Sequence, residues 1–127
     1  MGDSEELRDL VSAYASGLDR RRFDDVARLF TADGRLTHRG RTTVGPDDLA
    51  KAFRVLERYD ITTHFLGQQT AVINGDGATG EVYCLAHHLA EQDNYVMSIR
   101  YQDVYTRTSA GWRFASRELV VDWEEHR

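Results

Sequence analysis

Asp19 and His64, 45 positions apart, are the two side chains of this chain best suited to proton chemistry. A carboxylate that accepts a hydrogen bond from one imidazole nitrogen fixes the ring's tautomer and raises the basicity of the other nitrogen, which makes a general base at neutral pH. Each residue also has a plain reading: Asp19 as a polar residue in a solvated Asp-Arg-Arg-Arg turn, His64 as a hydrogen-bonded histidine in a strand. Cys84, His87 and His88 suggest zinc, but adjacent histidines on a strand point to opposite faces. Asp19, His64 and His88 together would compose a two-histidine, one-carboxylate metal centre. Residues 75–80, G-D-G-A-T-G, formally match the dinucleotide fingerprint, yet the following EVYCLAHHLA reads as a strand where the fingerprint needs a helix. No nucleophile motif of the G-x-S-x-G kind is present.

Which of these residues meet depends on the elements that carry them. Leu7, Leu10, Val11, Tyr14, Ala15 and Leu18 follow the stripe of an amphipathic helix, which ends near Gly17 and Asp19. Phe23, Val26, Ala27 and Phe30 predict a second, shorter helix ending before Ala32-Asp33-Gly34. After an extended segment around residues 35–38, Pro46 suits a first helical position, with Asp47 and Asp48 favourable to the dipole; Leu49, Ala52, Phe53 and Leu56 give the third stripe.

From Ile61 onward the chain reads as four long antiparallel strands punctuated by turns at residues 74–77, 92–94 and 109–111. Runs of roughly 13 residues are about 43 Å long if straight, whereas a compact chain of this length is about 36 Å across. The sheet must curl, and helices covering its concave face leave a pocket wherever they fail to fill it. A three-residue loop with Gly111 left-handed pairs Arg107 with Gly111, then Tyr95 with Trp123, Met97 with Val121, Ile99 with Leu119 and Tyr101 with Arg117. Arg117 then points inward, where it is equally placed to neutralise Asp103. An even-length turn near Asp93 and Asn94 puts Val82, Cys84, Ala86, His88 and Ala90 on the same face. His64 stays undecided, inward for a three-residue turn at residues 74–76 and outward for a two-residue one.

At 127 residues and 41% hydrophobic the chain fits one domain, residues 1–127, with a real core. A net charge of -5 offers no field for nucleic acid phosphates, so no nucleic acid partner is expected. One cysteine excludes an internal disulfide and suits a reducing compartment; with no basic-then-apolar leader and no membrane-length apolar run, the expectation is cytoplasmic and without a membrane partner.

Three segments then carry a resemblance: Y-A-S-G-L-D-R-R-R-F-D-D-V-A-R-L-F-T-A-D-G (residues 14–34), T-H-F-L-G (63–67) and Y-Q-D-V-Y-T-R-T-S-A-G-W-R-F-A-S-R (101–117). In this order, over residues 7–123, the chain resembles the SnoaL-like branch of the nuclear transport factor two-like superfamily. It is most similar to the group of scytalone dehydratase, hexachlorocyclohexane dehydrochlorinase and bile acid dehydratase. The resemblance implies an α+β fold: a cone-shaped, curled antiparallel sheet with three N-terminal helices on its concave face, a cystatin-like α+β barrel. It implies that Asp19 and His64 form a catalytic dyad, that His64 faces inward, and that Tyr14 and Arg117 complete the catalytic set by stabilising a developing oxyanion. His88 is not a general feature of that family.

The expected activity is that of a lyase or isomerase, dehydratase-like, working without cofactor or metal on a small apolar or cyclic organic substrate. Leu36, Val82, Cys84, His88, Met97, Ile99, Tyr101 and Leu119 are the expected substrate-binding wall. A polyketide cyclase, a hydrolase or a non-catalytic ligand-binding module on the same fold are the alternatives. Outward Tyr83, Leu85 and Leu89 suggest, with the resemblance, a homodimer or homotrimer.

Overall fold

The computed structural model describes residues 2–127. The first stripe forms helix α1 (Asp3–Asp19), burying Leu7, Leu10, Val11, Tyr14, Ala15 and Leu18. Each buried leucine contributes roughly 2 kcal/mol of gross transfer free energy. The helix is tied at both ends: Asp3 accepts hydrogen bonds from Arg107 and Trp112, and Asp19 accepts them from Thr62 and His64.

Helix α2 (Phe23–Ala27) is shorter than its stripe predicts. Phe30 leaves the helix to begin strand β1 (Phe30–His38), where it lies beside Phe114 with ring centroids 5.0 Å apart. Strand β2 (Arg41–Val44) folds back on β1, and Gly45, at φ 88, hands the chain to helix α3 (Pro46–Phe53). Pro46 sits in the first turn as its fixed φ favours. A 3-10 turn (Arg54–Arg58) follows, then the long strands β3 (Ile61–Asn74), β4 (Gly77–Ala90), β5 (Asp93–Thr108) and β6 (Gly111–His126).

The sheet runs in the order β2-β1-β6-β5-β4-β3. It is mixed: the long strands are antiparallel, as expected, but β1 pairs parallel with β6. The helices lie across the curled inner face, and the core gathers between them and inward residues such as Val82, Ala86, Ile99, Tyr101 and Phe114.

Three register slips decide which side chains reach that core. The β3–β4 turn is the two-residue kind, with Asn74 opposite Gly77, which by itself would set His64 opposite His87 on the outer face. Between Leu66 and Gln69 the register slips by one residue, so His64 pairs with Ala86 and points inward. The β5–β6 hairpin corrects the expected register. Its loop holds two residues, Thr108 pairing with Gly111, and Gly111 keeps the expected left-handed φ of 109°. Slips between Val104 and Tyr105 and between Ser98 and Ile99 then pair Asp103 with Arg117, Tyr101 with Leu119, Ile99 with Val121 and Tyr95 with His126. Arg117 faces inward as expected, through a shorter loop compensated by a bulge at Ala115. The β4–β5 turn has the expected even length, with Ala90 opposite Asp93, and the even-numbered residues of β4 face the core.

Candidate active site

Asp19 is the last residue of α1, and the chain there turns away through a left-handed Arg21 at φ 62. This aims the Asp19 carboxylate at the adjacent strand β3. Its Oδ1 lies 2.7 Å from His64 Nδ1 and its Oδ2 accepts the His64 backbone N–H at 2.9 Å. Thr62 donates its hydroxyl to Oδ1 at 3.0 Å, and Arg21 donates to the Thr62 hydroxyl at 2.9 Å. Burial works to raise the Asp19 pKa, but the hydrogen bonds from His64 and Thr62 and the nearby imidazole together hold it below the ordinary carboxylate value. An ionised carboxylate only accepts, so in the neutral ring Nδ1 carries the proton and Nε2 the free lone pair.

The His64 side chain is 5% exposed and its ring lines a cavity of about 160 Å³. Its walls include Tyr14 and Leu18 of α1, Leu36 and His38 of β1, Phe53 of α3, His88 of β4, Met97, Ile99 and Tyr101 of β5 and Leu119 of β6, with Leu56 and Tyr59 in and after the 3-10 turn. His88 Nδ1 donates to the Tyr95 carbonyl at 2.9 Å, and its ring stands edge-on to His64 at 6.0 Å between centroids. Burial holds His88 below the ordinary histidine value despite that hydrogen bond, so its Nε2 is an acceptor at neutral pH. His38 is lowered by burial and by Arg39, and its Nε2 is buried without a partner. Tyr14 is pushed up to about 12 by burial and Tyr101 well above its ordinary value, so both phenols remain donors. The cavity thus offers one oriented base, two further neutral imidazoles and four tyrosines, of which Tyr14 and Tyr101 are the buried ones, in a largely apolar wall.

The structure separates the expected site residues into two groups. Asp19, His64 and Tyr14 come together, and Leu36, His88, Met97, Ile99, Tyr101 and Leu119 line the cavity. Arg117, Val82 and Cys84 do not line it. Arg117 is fully buried beneath the floor, donating to Asp103 at 2.7 and 2.8 Å, with its guanidinium carbon 3.7 Å from the Tyr101 ring centroid and 4.3 Å from that of Tyr14. It meets a would-be oxyanion only through those two rings. Val82 and Cys84 are instead buried in the main core cluster, away from the cavity lining. Burial pushes the Cys84 thiol up to about 11, which leaves it an unreactive core side chain.

The metal-like combinations do not form either. His87 faces the opposite side from Cys84 and His88, against Asn94, and among the described residues no three acidic, histidine or cysteine side chains converge on one point. Residues 75–80 form a hairpin turn and the start of β4, with no helix after them. Sequence reasoning passed over His38, Tyr59, Thr62 and Arg21. His38 reads from the sequence as an exposed residue on an edge segment, whereas it ends β1, which is paired on both sides by β2 and β6, and Tyr59 follows an irregular turn whose direction no periodicity reveals.

Three comparisons bear on this arrangement. A family model described as the SnoaL-like domain matches residues 1–118. The Mycobacterium tuberculosis protein Rv2910c is 29% identical over 123 residues, covering 92% of this chain and 84% of its own length. Among solved structures, an NTF2-like protein with a cystatin-like fold from Novosphingobium aromaticivorans is 26% identical, with a TM-score of 0.84 over 94% of this chain and 82% of that one. The hexachlorocyclohexane dehydrochlorinase LinA-type3 of Novosphingobium barchaimii superposes with a TM-score of 0.88 at 20% identity, covering 98% of this chain and 89% of its own.

Proposed function

The chain belongs to the SnoaL-like domain family, and on that footing we propose that it is a cofactor-independent lyase or isomerase in which His64 removes a proton from carbon. The observation that carries the reading is the 2.7 Å contact between Asp19 and His64 Nδ1, with the same ring lining an apolar cavity. His64 Nε2 takes the proton beside a carbonyl, and the electron pair moves onto the carbonyl oxygen. The Tyr14 and Tyr101 phenols, held protonated by burial, donate to the oxyanion that forms. The enolate then either expels a β-substituent with its electron pair, which His64 protonates when it is a hydroxide, or takes the proton back at another carbon. The fold neighbour named as a dehydrochlorinase supports elimination as the first possibility to test.

Cavity size sets the substrate class. About 160 Å³ compares with the roughly 150 Å³ cavity that takes up benzene in an engineered protein. A single ring carrying one or two small substituents fits that space and is the substrate class to test first. The test is incubation with monocyclic β-hydroxy and β-chloro ketones in deuterated buffer, read by mass spectrometry for deuterium at carbon or loss of the β-group. His64→Ala should slow either reaction about 10²- to 10⁴-fold. Undiminished exchange by that variant overturns the reading.

A further inference from the structure

We propose that Arg21 and Thr62 are positioning residues: Arg21 directs the Thr62 proton onto Asp19, and the carboxylate so held fixes the tautomer of His64. The proposal rests on the reading of His64 as the base. Its first support is the one-way logic of the hydrogen bonds. A guanidinium only donates, so the Thr62 oxygen, 2.9 Å from Arg21 Nη1, must accept there. The single hydroxyl proton is then left for Asp19 Oδ1, 3.0 Å away. Thr62 is 4% exposed, so water does not compete for either bond. With the His64 backbone N–H on Oδ2, the carboxylate holds three donors and has no freedom to rotate. Both tautomers of an isolated imidazole are accessible, and only a fixed acceptor at Nδ1 commits the ring to presenting a bare Nε2.

The second support is independent and lies in the backbone. Helix α1 ends in a Schellman arrangement: Arg22 N–H bonds the Gly17 carbonyl at 2.8 Å and Arg21 N–H bonds the Leu18 carbonyl at 3.1 Å. Arg21 is the residue after the cap, at φ 62, the position glycine usually takes because a Cβ is strained there. Stability alone favours glycine. The side chain accounts for the arginine: besides Thr62 it bonds the Tyr59 carbonyl at 3.0 Å, and the Tyr59 ring packs on His88 at 5.0 Å in the cavity wall. At this strained position the two arms of one guanidinium reach from the helix end to both the dyad and the wall.

The test is ¹⁵N NMR of full-length protein labelled at histidine, with no substrate present. Wild type should show His64 as a single Nδ1–H species. Thr62→Val, which keeps shape and removes the hydroxyl, should lose that single signal and shift the ring toward the Nε2–H form, and Thr62→Ser should restore it. Arg21→Gly should do the same while its melting temperature stays level or rises, a combination that a merely structural arginine would not give. Retention of the wild-type Nδ1–H signal in both Thr62→Val and Arg21→Gly overturns the proposal, as does a loss of folding in Arg21→Gly. A wild-type protein that shows the single Nδ1–H species yet is inert toward the ketones would instead sink the assignment of His64 as base and leave the positioning intact.

Discussion

Two hydrogen-bonded pairs stand within one cone, each built on an aspartate, and they differ in how completely they are closed. Arg117 and Asp103 close on each other: two hydrogen bonds join them, the Tyr105 hydroxyl takes up Asp103 Oδ2 at 2.8 Å, and aromatic rings surround the guanidinium. Asp19 and His64 close on one side only, and the ring's other edge lines a cavity. The first pair has no opening: even Arg117 Nη1, the guanidinium nitrogen without a hydrogen-bond partner, is shut in among the Tyr14, Tyr101 and Phe114 rings, so its chemistry is spent on holding β5 to β6. The second keeps one nitrogen uncommitted, which is what a reacting group requires. Burial alone therefore does not separate structural from functional charge; the test is whether any polar atom is left facing a space.

That contrast can be broken at its closed end first. Asp103→Ala leaves Arg117 charged and unpaired in the core, and should cost about 3–5 kcal/mol in urea unfolding. Asp19→Asn should behave oppositely, with turnover of a monocyclic β-substituted ketone falling about 10²- to 10⁴-fold and unfolding free energy moving by only ~1 kcal/mol, the worth of an ordinary hydrogen bond. Replacing the closed pair outright, Arg117→Met with Asp103→Leu, should leave stability unchanged or raise it by about 1–4 kcal/mol. If turnover collapses in that stable double variant, Arg117 acts on the reaction through the Tyr14 and Tyr101 rings.

The smallest effect is one of pH. His38 and His88 are lowered in the folded protein, so each contributes stability that is fully present above the ordinary histidine value of about 6.5 and is lost as pH falls through its folded value. Melting temperature should begin to drop below about pH 6.5, and less so in His88→Gln. Asp19 adds a further loss at lower pH, because its depressed carboxyl contributes stability above its unfolded value of about 3.9 that disappears on protonation. Asp19→Asn should lack that last step.

Much of this architecture was legible in the residues. The stripe from Leu7 to Leu18, Pro46 at the head of α3 and the even-length turn after Ala90 each follow from local rules that tertiary contacts did not override. The second helix misled because Phe30 suits a helical stripe and a strand equally, and its partner Phe114 is far along the chain. The inward direction of Arg117 came from a loop one residue too long, an error cancelled by an unforeseen bulge. His64 was undecidable from its turn, since a bulge between Leu66 and Gln69, lying between the turn and His64, overrides the turn's parity. Arg21 was hidden for a different reason: left-handed positions announce themselves through glycine, and here an arginine occupies one.

The slip in β3 between Leu66 and Gln69 has a genetic consequence. Gly67 and Gln68 together oppose the single residue Tyr83, so removing one codon there takes out the surplus residue and leaves Leu66 opposite Cys84 and His64 opposite Ala86, still facing the core. What reverses His64 is a slip that straightens the bulge with every residue kept, which sets it opposite His87 on the outside of the cone. The inward direction of His64 thus survives a one-codon deletion inside the bulge and depends on the count of residues on either side of it.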